Sequence, residues 1–304
     1  MTGREDVAVT SVVAASDTQS NPLEEFKITP GLPIDRELHR VAAAALGLAI
    51  EQSMDIANRP RKAVHQCRKS IKRLRALVRL GMGEGYHACL GVDHQLRAVG
   101  RTLAAWRDAD VLTRTAGVLG PEQWQALESV KRLAEPESEL SECAAEAYAM
   151  LHATEAPLHH LFCGEFAWTF ESIVEGIKYN YRFTRRSMRR FFRNGRPGAA
   201  HDWRKGVQRH LSQLRLIESL GPFWLSERIR KLDVLAETLG HYNDLSILRA
   251  AIKSKQHRSE KHSTKPLRRP ARGKQGELKM RALKLGMPLF AEKSRAFANR
   301  LTAQ

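Results

Sequence analysis

The chain has 304 residues, 42% of them hydrophobic and 27% charged, which is enough for a sizeable core and predicts about two domains. Lys and Arg number 50 against 33 Asp and Glu, and because the net charge of +17 repels itself in a compact fold, we expect a polyanion or an anionic surface as the partner. No run approaches the ~18–20 apolar residues of a membrane span, and the four cysteines are too widely spaced for a zinc site or a disulfide framework, so we expect free thiols and a cytoplasmic location.

The chain begins with a polar, acidic stretch and then turns helical. Residues 1–30 have little periodicity and predict a disordered or loosely attached leader. Beyond them apolar residues recur with helical spacing, and stops containing Gly and Pro divide the segments. The predicted helices are 35–54, 61–80, 89–116, 121–134, 137–152, 165–194, 199–219, 222–252 and 276–302. Residues 253–274 are basic without apolar periodicity and predict a solvated loop; since no segment alternates as a strand does, the predicted fold class is all-α.

An internal repeat runs through the chain at one fixed offset. The motif His-x-x-Arg-Lys at 65–69 recurs at 201–205, which is 136 residues later. The same offset relates Arg73 to Arg209, Arg79 to Arg215, and 103–108 to 239–244. Because separate blocks match at one offset, we predict a duplicated helical unit. The expected halves are 31–163 and 164–304, two helical bundles related by a pseudo-twofold axis.

A cationic stripe follows the first copy of the motif. Each helical residue advances by about 100°, so residues about three, four and seven positions apart share a face. That face carries His65, Arg68, Lys72, Arg75 and Arg79, and no Glu or Asp of the segment accompanies them. Like charges at these spacings destabilise an isolated helix by a few tenths of a kcal/mol per pair, roughly. The stripe is therefore either a solvated face or a binding surface.

The second half repeats the stripe less fully. Gln208 and Leu211 occupy the positions of Lys72 and Arg75. The preceding helix carries a further stripe, Lys178, Arg182, Arg185, Arg189 and Arg193. A groove lined by both halves would focus positive potential and bind phosphate oxygens through charge-assisted hydrogen bonds.

The candidate phosphate-binding residues are the cations and histidines of these stripes. They are His65, Arg68, Lys69, Lys72, Arg73, Arg75, Arg79, Lys178, Arg182, Arg185, Arg189, His201, Arg204, Lys205, Arg209 and Arg215. His65 and His201 either contact phosphate or pack. We expect Asp108 and Asp244 to orient the groove by accepting hydrogen bonds from the basic face. No catalytic residue, metal or cofactor is expected.

At these residues the sequence resembles the CHAD family, the conserved-histidine α-helical domain. The family's pattern of His, Arg and a basic cluster is matched by His65, Arg68, Lys72, Arg73 and Arg75, and its second copy by His201, Arg204 and Arg209. The Leu-Gly-x-x-x-Asp signature matches 239–244, and the Arg-Asp-x-Asp-Val element matches 107–111. The resemblance covers roughly residues 31–304.

The resemblance implies two helical halves around a basic central cavity and non-catalytic recognition of inorganic polyphosphate, sometimes at polyphosphate granules. Gln208 and Leu211 depart from the family's basic pattern, so we expect a weaker grip from the second half. The Glu-x-Glu-x-Lys motif of the CYTH domains often fused to this family is absent, which predicts a stand-alone member.

Two other functions compete with polyphosphate binding. Nucleic-acid binding would need stacking aromatics, and the aromatic residues near the motifs are Trp106, Tyr179, Tyr181 and Trp203. A metal-dependent phosphohydrolase could use His201 and Asp202, joined by His65 and Asp244. Against it, the repeat partner of Asp202 is Gln66, and no known phosphate-loop or metalloenzyme motif occurs. A membrane partner is not expected.

Overall fold

The computed structural model of the chain describes residues 26–82, 86–119, 124–134, 139–164, 166–253 and 264–303. These residues form helices throughout and contain no β-strand, which confirms the all-α prediction. The helices are α1 Ile34–Met54, α2 Pro60–Val78, α3 Tyr86–Thr102, α4 Ala104–Leu119, α5 Trp124–Ala134, α6 Leu140–His152, α7 Glu155–Cys163, α8 Phe170–Asn194, α9 Pro197–Leu216, α10 Leu225–Lys253, α11 Lys265–Leu289 and α12 Ser294–Thr302, with a 3-10 turn at Arg79–Gly81 after α2. None of the helices in this part of the chain combines the length and the apolar character needed to cross a bilayer.

One apolar core joins most of the helices. α1 packs on α2, α6 and α7, and α8 packs on α9 and α12. In the middle of the fold α2 lies against α9, where the Gln213 side chain donates to the carbonyl of Ala76 at 3.0 Å. α4 also lies against α10, so the helices that carry the repeated motif meet one another.

The segment predicted as one helix over 89–116 is two helices that meet at Leu103. The Arg68 side chain donates to the carbonyl of Gly100, which in an unbroken helix would accept from the amide of Ala104. A side chain inserted into the helical ladder is a known cause of a break. At the equivalent position of the second half, α10 continues through Leu239 without interruption.

The basic segment 253–274 is not a loop over its described part, because α11 begins at Lys265. Leu267 and Ala271, one turn apart, are both fully buried, and Leu267 packs with Leu112 and Leu248. The high Lys and Arg content hid this short apolar face. Residues 254–263 lie outside the described part of the chain.

Other boundaries also differ from the sequence prediction. α7 was not predicted, although Leu158, Leu161 and Phe162 give it a buried side. The helix predicted over 276–302 ends at Leu289 and resumes at Ser294. The leader prediction for 1–30 is wrong at its end, since Phe26 and Ile28 are buried and the amide of Ile28 donates to Leu216 at 2.9 Å; residues 1–25 are outside the described ranges.

Gly176 of α8 tests the contact between the two halves of the fold. A Cβ at Gly176 would overlap the backbone carbonyl of Leu80 in the 3-10 turn. We therefore predict that Gly176→Ala lowers the free energy of unfolding by about 1–3 kcal/mol, as overpacking does in other cores. The control is Gly47→Ala in α1, where a Cβ meets no atom within 4 Å and the helix should gain up to ~1 kcal/mol. Equal effects in urea unfolding of the two variants would contradict this packing.

Candidate anion-binding site

Cations from three helices meet where α2 contacts α9. Lys72 lies in the electrostatic field of Arg204, Arg68 and Arg107, with Asp244 as the nearby acid. Arg204 in turn is influenced by Arg107, Arg68, Asp244 and Asp108. We call these residues the central cluster: Arg68 and Lys72 of α2, Arg107 and Asp108 of α4, Arg204 of α9 and Asp244 of α10. It therefore gathers more positive than negative charge.

The acids of the central cluster are engaged by Arg107. This guanidinium donates to Asp108 at 2.7 Å and to Asp244 at 3.1 Å, and Asp244 also lies 3.5 Å from Arg114. Among the described residues no carboxylate lies within ion-pair distance of Arg68, Lys72 or Arg204. Arg107 thus ties α4 to α10 and leaves the three remaining cations without a neutralising partner.

Burial makes these charges costly. Desolvation lowers the pKa of the Lys72 ammonium to about 7, and repulsion from Arg204 adds to the effect. Desolvation likewise lowers the pKa of Arg204 to about 10. The Nε atoms of Arg68 and Arg204 are buried without a hydrogen-bond partner, whereas the Lys72 side chain remains exposed to solvent. Lys72 is therefore surrounded by protein and still reachable from outside.

Basic side chains extend from the central cluster in two directions. On one side Lys69 neighbours Arg73 and Arg215, with Asp233 close by. On the other side Lys205 neighbours Arg97, Arg75 and Arg209, with Asp202 close by. We call these groups the Lys69 arm and the Lys205 arm. Lys69 and Lys205 are equivalent at the 136-residue offset, so the arms start from corresponding positions of the repeat.

Both histidines lie near the helix starts that flank the central cluster. His65 is close to Lys72, Lys69 and Arg114, and burial followed by these cations lowers its pKa. In the second half the Nδ1 of His201 lies 3.3 Å from the Asn243 side-chain oxygen, and burial together with Lys205 lowers its pKa. Both rings are exposed, and with lowered pKa values they favour the neutral form at pH 7.

The prediction that no acid neutralises the α2 stripe is wrong for its last two members. Arg75 and Arg79 both bind Asp93 of α3, Arg75 at 2.9 and 3.1 Å and Arg79 at 2.8 Å through its Nε. Asp93 is fully buried. Burial raises its pKa, but the hydrogen bonds from Arg79 and Arg75 outweigh this, and the pKa falls to about 2. An acid between apolar Val92 and Leu96 was the available sequence signal.

Two further predicted ligands are engaged elsewhere. Arg209 donates to the Asn180 side chain at 2.9 Å and lies over the Phe183 ring at 5.6 Å. Arg215 forms an ion pair with Asp233 at 2.9 Å. These contacts hold α9 against α8 and α10, so both side chains have a structural role in the fold.

The stripe on α8 does not share a wall with α2. α8 meets α9 through Asn180 and Thr184, and Arg182 and Arg189 project from the opposite side of the helix because each residue advances by about 100°. Arg185 donates to the carbonyls of Phe290 and Ala291 at 3.0 and 2.9 Å. Lys178 pairs with Glu175 at 2.8 Å. The structure therefore separates this stripe from the central cluster.

Sequence reasoning missed three basic residues of the site. Arg107, which holds both acids of the central cluster, was visible as part of the motif at 107–111 but was not assigned a role. Arg114 lies two turns further along the same helix and reaches Asp244. Arg97 joins the Lys205 arm from α3, and no sequence pattern singles it out.

The fold and the site define an all-helical domain whose paired, motif-bearing helices concentrate positive charge. The family model of the CHAD domain matches residues 40–253, and the chain belongs to this family. The crystal structure of the CHAD domain from the plant Ricinus communis is similar, with a TM-score of 0.67 and 16% sequence identity over 91% of this chain and 95% of that chain. No curated protein matches the sequence.

The Asp93 clamp predicts a specific acid sensitivity. Because the folded pKa of about 2 lies below the ordinary value of 3.8, the carboxylate stabilises the fold fully above pH 3.8, and this stabilisation is lost as the pH falls towards 2. We expect Asp93→Asn to cost about 3 kcal/mol at pH 7, and we expect the gap from the original chain to shrink only below about pH 4.

Asp233→Asn is the matched control, because Asp233 binds Arg215 while its side chain is 58% exposed. Its removal should cost less than ~1 kcal/mol. Urea unfolding across pH 3 to 7 measures both variants. A pH-independent loss in Asp93→Asn, or equal losses in the two variants, would contradict the clamp.

Proposed function

We propose that the protein binds inorganic polyphosphate without chemical turnover, through the central cluster and its two arms. The observation that carries this is the trio Arg68, Lys72 and Arg204, which have no neutralising carboxylate within reach. An anion would supply both the missing charge and acceptors for guanidinium donors that burial has stripped of water. Phosphate oxygens suit the planar donor fork of Arg and the point charge of Lys.

The arms favour a chain-like anion over a single phosphate. Lys69 with Arg73 on one side and Lys205 with Arg97 on the other continue the positive charge beyond the centre. A flexible polyphosphate could contact several of these cations at once, and multiple contacts on one chain raise affinity without new chemistry. We take the central cluster and arms as the lining of a basic groove.

Helix bounds support two related halves. Shifted by 136 residues, the bounds of α1 and α2 become 170–190 and 196–214, against Phe170–Asn194 for α8 and Pro197–Leu216 for α9. Arg68 and Arg204 are equivalent at this offset and lie close to each other. We propose that 31–163 and 164–304 are related by a pseudo-twofold axis near the α2–α9 contact, which would place a symmetric cationic pair at the centre of the groove.

Nucleic-acid binding is the less favoured partner class. Stacking of unpaired bases needs exposed aromatic faces next to the cations. Trp203 and Tyr181 are fully buried and Trp106 is partly buried; Tyr179 is exposed but belongs to α8. A polyanion without bases therefore fits the central cluster better.

Hydrolysis is also less favoured, because the acids it would need are engaged by arginines. Asp202 faces Arg190 at 3.5 Å, and Asp244 is held by Arg107 and Arg114. A carboxylate bound to Arg is a poor general base, since the neighbouring charge stabilises its ionised form. A binding role at sites of polyphosphate accumulation, such as cytoplasmic granules, follows from this proposal.

Removing the central charges should abolish tight binding and leave the fold intact. We expect the combined variant Arg68→Gln, Lys72→Gln and Arg204→Gln to lose about 100-fold or more in affinity for long-chain polyphosphate, because several charge-assisted contacts disappear. Its Tm should rise, since repulsion between desolvated cations is relieved. Calorimetric titration and thermal melts measure the two quantities.

The matched control removes three arginines from the outward face of α8. Arg182→Gln, Arg186→Gln and Arg189→Gln together change the net charge equally and should cost less than about ten-fold, by weakening only long-range attraction. Equal losses in both triple variants would contradict a localised site. If duplex DNA displaces polyphosphate at matched phosphate concentration and salt, the partner class is wrong.

Affinity should depend on pH through Lys72. Its pKa of about 7 in the free protein must rise when phosphate binds, so binding takes up a proton above pH 7 and affinity falls as the pH increases, by up to about ten-fold per unit. The Lys72→Gln variant should bind more weakly and show a flatter profile between pH 7 and 9. The histidines, with pKa values below 6.5, do not titrate in this range. Identical slopes for the two proteins would contradict the assignment.

A further inference from the structure

A group of metal-ligating side chains lies on the first half of the chain, outside the central cluster. His39 of α1 faces His159 and Cys163 of α7, and the ligand atoms of the three residues all lie within 4.8 Å of one another. The rings of His39 and His159 meet edge to face, with centroids 5.0 Å apart and an interplanar angle of 86°. Side chains from two different helices thus converge on one point.

The helices hold these donors in place. His159 and Cys163 are one turn apart on α7, so they lie on the same face of that helix. α1 packs directly on α7, and Leu38, next to His39, is fully buried, as Leu158 and Phe162 nearly are. Because the backbone on both sides is anchored in the core, rotation of exposed side chains is enough to adjust the donors.

The chemistry of the donor set selects a class of ion. Two imidazoles and a thiolate suit Zn²⁺, whereas Mg²⁺ and Ca²⁺ prefer oxygen ligands. Tetrahedral zinc with bonds of about 2.0–2.3 Å places its donors roughly 3.4–3.7 Å apart. Donors already within 4.8 Å need to close by only about 1 Å.

We propose that His39, His159 and Cys163 form a surface site for Zn²⁺, with three protein donors and a fourth position left for water or an external ligand. The site would link α7 to α1 and raise the stability of the first half when the ion binds. The positions 136 residues later are Glu175, Arg295 and Asn299, so the second half has no equivalent and the site is independent of the repeated binding motif. Cysteine spacing could not predict it, since histidines supply most of the donors.

Titration of the full chain with Co²⁺ tests the site, because a Co²⁺–thiolate bond gives a near-ultraviolet charge-transfer band. We expect one equivalent of Co²⁺ to produce the band and Zn²⁺ to displace it. Cys163→Ser should remove the band, and His39→Asn or His159→Ala should weaken binding by about ten-fold or more. The control is His160→Ala, an exposed neighbour on α7 outside the donor group, which should bind normally.

Thiol reactivity gives a second readout. Cys163 is exposed, whereas Cys67, Cys89 and Cys143 are buried, so a thiol reagent added to the folded protein reports on Cys163. Zn²⁺ should slow this reaction in the original chain and in His160→Ala, and should have no effect in His39→Asn. No charge-transfer band, unchanged thiol reactivity with Zn²⁺, or equal loss of binding in His160→Ala would each overturn the proposal.

Discussion

The structure depends on an unfavourable contact, the close approach of Arg68, Lys72 and Arg204 in a partly desolvated place. Like charges gain nothing from one another, and burial removes the water that would screen them. Stabilisation must therefore come from the apolar side of the same helices. Leu74 and Leu77 of α2 and Trp203, Val207 and Leu214 of α9 are buried almost completely, and a chain that gave up this packing would release the cations into solvent.

Arg107 sets the frame within which those cations meet. By donating to Asp108 and Asp244 it consumes the acids of the central cluster and joins α4 to α10. Arg75 and Arg79 do the same on α3 through buried Asp93. The basic residues thus divide into those that bind protein carboxylates and those that have none. Because the second group is carried by helix bodies and not by loops, its charges are held in position before a ligand arrives, which lowers the ordering cost of binding.

Much of this organisation could be predicted from local pattern. Amphipathic spacing gave the all-α fold and most helices, and the 136-residue repeat placed His65, Arg68, His201 and Arg204 in corresponding positions. Long-range pairing could not be predicted in this way. Asp93 reaches Arg75 across two helices, and Arg185 turns to the carbonyls after α11, so a stripe that appears unpaired along one helix can be neutralised by another. The start of α11 at Lys265 was hidden because its apolar side is narrow and its composition basic.

The most direct test of the central claim is a crystal structure of the protein with a short polyphosphate chain. We predict phosphate oxygens within hydrogen-bond distance of Arg68, Lys72 and Arg204, with the chain continuing towards Lys69 or Lys205. Phosphates ordered only along the outward face of α8, or Arg68 and Arg204 turned away to bind protein carboxylates in the complex, would contradict it.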